Sequence, residues 1–400
     1  MSLRPIEPYH CVHGDEARID CVLCGKCLTV CPLFNATKRE ELSPKAKFHL
    51  MRVLSEEGTA LREKPAVKLA GLCLSCGKCE KACPRGLCVP DLLGQVRAKH
   101  PGWQAFVWKH WVERAGLLWP MAASLSRIAP APLFPGVLGK MMGSMAALDK
   151  KNVLKPWLKV VSVEKRGAGE KVAIFPGCVA AHAHKGWLGM AKKLLAGMGF
   201  DPLVPDFACC GCTLGHAGLK DAQTWMRLDN VAAWRAAGRP KLVTFCATCR
   251  CGLKSYASAD LGWQDGERDA WAMAQTALSG LMEGARFEVM ANAPGSVIYH
   301  KPCHGSGDGG DLRLLRAAAG ERVVSKEGQS LCCGFGGMLQ LGAPDLSHRV
   351  AESALAFYDP KPGGQIVTGC SGCTVQFKAN VPNGVAAGHW LEIVSFETKL

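Results

Sequence analysis

Apolar positions fall into three textures along the chain. Between Leu42 and Gly58, Phe48, Leu50, Met51 and Leu54 recur at near-helical spacing, with Gly58 where a helix C-cap belongs. Residues 99–165 are rich in Trp, Pro and Met and read as helices and turns. Within them, "GWQAFVWKHWVERAGLLWP" (Gly102 to Pro120) sets Trp103, Phe106, Val107, Trp111, Leu117 and Leu118 on an approximate helical stripe. Core packing between the two halves of the chain is the expected role of that stripe; a docking face for a protein or a membrane surface is the alternative. From residue 166 short β-branched runs alternate with helical segments such as "KGWLGMAKKLLAGM" (Lys185 to Met198) and "PDLSHRVAESALAFY" (Pro344 to Tyr358). This alternation predicts βα units around mostly parallel sheets. Such sheets place ligands at the carboxyl ends of their strands.

The alternating half repeats itself. "KVAIFPGC" (Lys171 to Cys178) corresponds to "SVIYHKPC" (Ser296 to Cys303), "ACCG" (Ala208 to Gly211) to "LCCG" (Leu331 to Gly334), and "LVTFCATC" (Leu242 to Cys249) to "QIVTGCSGC" (Gln365 to Cys373). The anchors pair 178 with 303, 209 with 332 and 246 with 370, so one offset holds within two residues, the mark of a duplication.

Composition changes the picture at one residue type. A chain of 400 residues with 48% hydrophobic and 20% charged positions has room for two or three ordinary domains, but 22 cysteines is far above the norm. The start, "MSLRPIEPYH", lacks a basic region followed by an apolar stretch, so the expected setting is cytoplasmic and reducing. There a disulfide framework is disfavoured and metal binding is the default. The most apolar stretch, Gly116 to Met142, is interrupted by Pro120, Arg127, Pro130, Pro132 and Pro135, which argues against a membrane span and leaves peripheral association with the inner face of the membrane open. A formal charge of +14 invites nucleic acid, yet no Lys/Arg run interleaves with aromatics, and bound clusters with thiolate ligands would offset much of the excess. A solvated basic surface or a face for an acidic partner is the better reading.

The cysteines carry the chemistry. "CVLCGKCLTVCP" (Cys21 to Pro32) and "CLSCGKCEKACP" (Cys73 to Pro84) both read C-x2-C-x2-C-x3-C-P. Zinc is usually served by two separated C-x2-C pairs, whereas a compact run of three cysteines wraps three corners of a cubane. In the bacterial two-cluster pattern the fourth cysteine serves the other cluster. The assignment is therefore Cys21, Cys24, Cys27 and Cys83 for one [4Fe–4S] centre, and Cys73, Cys76, Cys79 and Cys31 for the second, with zinc as the alternative. Gly25 and Gly77 would let the backbone pass close to the metal, and Pro32 and Pro84 would stop the local helix and aim the preceding sulfur across. Lys26, Lys78, Lys81 and Arg85 lie beside the ligands, either as solvated surface charges or as charges that favour a reduced cluster.

Each repeat supplies a second kind of set: Cys178, Cys209, Cys210, Cys246 and Cys249, then Cys303, Cys332, Cys333, Cys370 and Cys373. Five thiols exceed what a tetrahedral ion uses, and adjacent cysteines diverge toward different metal atoms. Cys11, Cys88, Cys212 and Cys251 are left over and read as buried inert thiols. "CCGFGG" (Cys332 to Gly337) matches neither a dinucleotide fingerprint nor a P-loop, and no flavin or nicotinamide motif occurs. His300, His304 and His389 read as satisfied structural histidines, with proton relay as the alternative.

These motifs together resemble the cysteine-rich "CCG" family, which includes heterodisulfide reductase catalytic subunits, the third subunit of anaerobic glycerol-3-phosphate dehydrogenase, and the iron–sulfur subunit of glycolate oxidase and related D-lactate dehydrogenases. "SPKAKFHLM" (Ser43 to Met51) and "HWLEI" (His389 to Ile393) resemble the glycolate/D-lactate branch most closely. The resemblance spans residues 20 to 395. It implies a mixed α+β and α/β chain: a leader (1–20), a largely helical ferredoxin-like domain holding two [4Fe–4S] cubanes (21–98), a helical Trp/Pro-rich connector (99–165), and two duplicated βα CCG domains (166–290 and 291–400). It implies one or two further, noncubane iron–sulfur clusters at the CCG sets. The implied activity is electron transfer from an FAD-containing subunit that oxidises a 2-hydroxy acid, with a quinone or another carrier as acceptor and no flavin or substrate oxidation in this chain alone. The rivals are a catalytic disulfide reductase of the heterodisulfide type and a zinc-stapled binding module.

Overall fold

The computed structural model describes residues 21–56, 63–129, 133–134, 136–149, 153–305, 309–328 and 330–397. The leader at 1–20 with Cys11 lies outside the described residues, as do Gly58, Pro130, Pro132 and Pro135. The chain organises into two compact units: Met1–Lys109 with Thr213–Lys220 and Glu327–Ala354, and His110–Cys212 with Asp221–Lys326 and Leu355–Leu400.

The described part of the first unit is helical, and its two cysteine motifs fold alike. Gly25 and Gly77, at φ 75° and 70°, cap the five-residue helices Lys26–Val30 and Lys78–Ala82. Each helix stops at the residue before a proline, where steric clash pushes the backbone to an extended conformation. Cys31 stands at φ −79°, ψ 115° and Cys83 at φ −79°, ψ 120°. Pro32 then opens a new helix, Pro32–Thr37, at a position where a missing N–H costs nothing. The periodicity around Phe48 becomes the helix Pro44–Glu56, whose entry Ser43 secures by accepting the Ala46 N–H at 3.2 Å. Met51 packs in a core with Ala70, Leu92, Leu93 and Val96, against which Phe48 and Val67 lie half-buried.

All described sheets belong to the second unit. Eight strands build the two sheets of the duplicated half: β2 (Lys171–Phe175), β3 (Asp201–Leu203), β4 (Lys241–Thr244), β5 (Gln275–Ala277), β7 (Val297–His300), β8 (Val323–Val324), β9 (Gln365–Thr368) and β10 (Ala386–His389); β6 (Arg286–Val289) joins a third sheet with β1 (Leu158–Ser162) and β11 (Val394–Ser395). The first sheet runs β3-β2-β4-β5 and the second β8-β7-β9-β10, all parallel. The order is the same in both, so the duplication seen in the sequence is a duplication of topology. The helices Lys185–Gly197 and Pro344–Tyr358 fall where the periodicity placed them.

Two features depart from expectation. β1 lies inside the stretch read as a helical connector; it pairs antiparallel with β6 and parallel with β11. The aromatic stripe of residues 102–120 is not core: Trp103, Phe106, Val107 and Leu117 are exposed, while Trp111 and Leu118 are only half-buried. The chain breaks into Trp103–Glu113 and Ala115–Ile128, so a stripe drawn across both helices has no common face. Ala105, Trp108, Val112, Ala115 and Trp119 are the buried positions, small alanines allowing close approach around two tryptophans. Among the described residues no helix is long and apolar enough to cross a membrane.

Candidate metal centres

Each half of the first unit's motif pair contributes to a cavity. One is lined by Cys21, Cys24, Cys27 and Cys83, and another by Cys31, Cys73, Cys76 and Cys79. Cys79 also reaches the first cavity. The fourth cysteine of each motif thus lies with the first three of the other. No carboxylate lines either cavity, so the donor set is sulfur alone, which suits iron–sulfur clusters or zinc and disfavours hard cations. Leu23 and Ser75, two residues after the first cysteine of each motif, both take left-handed backbone at φ 55° and 52°, just ahead of the left-handed Gly25 and Gly77. Such turns gather N–H groups toward negative charge, and the Ser75 N–H lies 3.4 Å from Cys73 Sγ. The residues present fit a cluster.

The two cavities differ in burial and in their cations. Cys24 is exposed and Cys21, Cys27 and Cys83 are half-buried, whereas Cys31 and Cys79 are buried. Burial pushes the thiols of Cys27, Cys31 and Cys79 up. Exposed Lys26 and Arg85 line the first cavity, with Lys45, which pairs with Glu40 at 2.6 Å. The second is lined by Lys47, 2% exposed, and Arg97 lies 7% exposed next to Cys73. Neither is among the candidates predicted from sequence. Lys47 stands four residues after the capping Ser43 and four before the core Met51, a spacing that assigns it to the buried helix face.

The first CCG set is assembled by strand ends rather than by one loop. Cys178 follows β2 in the helix Gly177–His182, Cys209 and Cys210 follow β3, and Cys246 caps the helix Ala247–Lys254 after β4, with Cys249 inside it. The five thiols touch in series. Cys178 and Cys210 hydrogen-bond Cys209, and Cys249 bonds Cys210 and Cys246. The sulfur hydrogen bonds alternate in effect: they hold Cys209 and Cys246 low and Cys178, Cys210 and Cys249 high. Gly177 makes the close approach possible, since at φ 70° a Cβ there would stand 2.6 Å from Cys249 Sγ.

Of the second set, Cys303, Cys370 and Cys373 belong to the second unit, after β7 and β9, and buried Cys332 and Cys333 belong to the first. Within the second unit the two repeats meet at their Cys-x-x-Cys helices. The Ser371 N–H points at Cys246 Sγ (3.4 Å), the Thr248 hydroxyl lies 3.1 Å from Cys370 Sγ, and the Ala247 N–H donates to Gly369 O (2.8 Å).

The remaining candidates resolve differently. His389 is structural: its Nε2–H donates to Phe245 O (3.1 Å), its Nδ1 accepts the Leu391 N–H, and it stacks on Trp187. Fully buried His300 bonds the Tyr358 hydroxyl through Nδ1 at 2.8 Å, and His304 Nδ1 lies 3.3 Å from the Thr248 hydroxyl. Cys88 is a buried thiol bonded to Glu80 Oε2. Cys212 and Cys251 are not isolated; their thiols hydrogen-bond one another beside Cys210. Their spacing in the sequence carries no sign of that contact. All twenty-one described cysteines are thiols rather than disulfide halves.

Comparison with known proteins agrees with this layout. Residues 19–87 match a 4Fe-4S dicluster domain, and residues 172–254 and 297–378 each match a cysteine-rich domain of the CCG type. The chain is a CCG-domain iron–sulfur protein. This CCG-domain protein is 24% identical to the probable glycolate oxidase iron–sulfur subunit of Bacillus subtilis, over 92% of its own length and 90% of the relative's. It is 23% identical to the glycolate oxidase iron–sulfur subunit of Escherichia coli (96% and 95%). It is also 24% identical to a dihydromethanophenazine:CoB–CoM heterodisulfide reductase subunit of Methanosarcina acetivorans (83% and 81%).

Proposed function

We propose that this chain is the electron-transfer subunit of a flavin-dependent 2-hydroxy-acid dehydrogenase. An FAD-containing partner oxidises glycolate or D-lactate, and a quinone or another carrier is the final acceptor. In this reading Cys21, Cys24, Cys27 and Cys83 hold one [4Fe–4S] cubane, Cys31, Cys73, Cys76 and Cys79 hold the other, and the first CCG set holds a further iron–sulfur cluster. When bound, such clusters supply one-electron transfer. The protein's own part is to fix them: left-handed turns present N–H groups, extended Cys31 and Cys83 reach across, and the parallel sheets bring the CCG thiols together. The observation that carries the reading is the pair of all-sulfur cavities, each completed by the fourth cysteine of the other motif. Likeness to glycolate oxidase iron–sulfur subunits over nearly the whole chain supports the choice of partner.

The disulfide reductase reading has its own support, the likeness to a heterodisulfide reductase subunit and the meeting of Cys246 with Cys370. Anaerobically purified chain separates the readings. Rapid bleaching of its visible spectrum by glycolate or D-lactate only when an FAD-containing dehydrogenase is added supports electron transfer. Reduction of an organic disulfide by the chain alone, with dithionite as donor, overturns it. Zinc without iron or acid-labile sulfide overturns both.

A further inference from the structure

We infer that Lys47 and Arg97 are built-in counter-cations for the group held by Cys31, Cys73, Cys76 and Cys79, and that they raise the reduction potential of that site more than that of the other. The inference rests on the cysteine sets proposed above.

Both side chains are buried, yet among the described residues neither meets a carboxylate. Lys47 Nζ donates to Leu42 O (2.8 Å) and Leu72 O (2.5 Å). Arg97 donates to the carbonyls of Ala70, Gly71, Cys73 and His216 and to Ser75 Oγ. Carbonyl dipoles satisfy the N–H groups but do not neutralise the charge. A buried unpaired cation is costly, and here there are two near enough to repel. Lys47 lines the cavity of Cys31, Cys73, Cys76 and Cys79, and Arg97 donates to the Cys73 carbonyl, so an anionic group held by these cysteines would stand beside both charges.

The contrast with the other cavity gives the sign. Burial by itself disfavours adding an electron to an anionic group, and so lowers a potential. Two fixed positive charges in the same low-dielectric shell act the opposite way and are screened far less than surface charges. Lys26, Lys45 and Arg85 at the first cavity stand in water or pair with Glu40, and water and salt dilute their field.

The test is a redox titration, followed by electron paramagnetic resonance, of the anaerobically purified full-length chain. Cys31→Ser and Cys83→Ser identify which signal belongs to which cysteine set. If both substitutions remove the same signal, the ligand sets are wrong, an outcome independent of the lysine. Lys47→Met is expected to shift the reduction equilibrium of the Cys31 signal at least tenfold toward the oxidised form, about 59 mV for a one-electron couple, and to move the Cys83 signal less. Lys47→Arg is expected to keep the wild-type value. No shift, or an equal shift of both signals, overturns the inference. Should Lys47→Met fail to load that cluster, loading by Lys47→Arg supports a need for charge, and failure of both assigns the lysine to packing and overturns it.

Discussion

The dicluster cavities and the first CCG set both gather thiols around a point, but by different means. In each dicluster cavity three of the four cysteines come from one eleven-residue motif, where two left-handed turns and an X-Pro step fix the geometry, so both copies reach nearly the same backbone angles; only the fourth comes from the other motif. In the CCG set the thiols span from Cys178 to Cys249 and depend on three strands standing in parallel register. A site with three ligands in one short segment should tolerate tertiary damage better than one whose ligands stand on separate strands.

The largest expected effect tests the topological side. Lys378 and Glu392 form an almost fully buried ion pair at 3.0 Å, and Glu392 also accepts from Trp187 Nε1 and the Leu154 N–H. Lys378→Met strands that carboxylate, at an expected cost of about 3–5 kcal/mol. In urea the CCG iron should be released well before the dicluster absorbance fades. Simultaneous loss would break the comparison. Acid should act in the same direction. His184 and His389 are held by burial at a pKa of about 4, against about 6.5 in an unfolded chain. Above pH 6.5 they contribute no pH dependence. As pH falls from 6.5 toward 4 the unfolded chain takes up protons that the folded one refuses, so stability declines. At pH 5 the loss is about 2 kcal/mol for each histidine, read as a lower urea midpoint for the second unit. The buried histidines among the described residues all lie in that unit, so the dicluster transition should move less.

A matched pair of glycine substitutions sharpens the contrast. Gly177 and Gly77 share φ 70°, so an alanine at either costs about 1–2 kcal/mol of backbone strain. Only at Gly177 does the added carbon also collide with a thiol. Gly177→Ala should lower the iron content of the purified chain more than Gly77→Ala does. Equal iron loss in both would mean that strain, not space, decides.

The same distinction explains what the sequence could reveal. Cysteine spacing is local, so the crossed pairing of Cys83 with Cys21 and of Cys31 with Cys73 was readable from two short strings. The repeat was readable because its anchors keep one offset, and the strand order bears it out. β1 was hidden because its partners, Val289 and Val394, lie far along the chain and its own neighbourhood is rich in Trp and Pro. The stripe at 102–120 failed because periodicity does not say which helix face is buried: Trp103, Phe106 and Val107 share a face of the first helix and stand exposed, while Ala105, Trp108 and Val112 are buried. Lys47 shares a helical face with Met51, a signal that its charge outweighed; Arg97 was invisible because a charged residue defaults to the surface, and only tertiary structure shows it enclosed. The Cys212–Cys251 contact has the same origin.

The third sheet also orders events during synthesis. The N–H groups of Trp157 and Leu158 both donate to Ile393 O, at 3.0 and 2.9 Å, and β11 completes β1's parallel edge. A ribosome adding about 5–20 residues per second needs roughly seven to thirty seconds to travel from Cys249 to Ile393. Throughout that interval the five thiols of the first repeat have emerged while the strand that seals their sheet neighbour has not. In this window those thiols are open to oxidation before their sheet is sealed, and slowing translation downstream of Cys249 lengthens it.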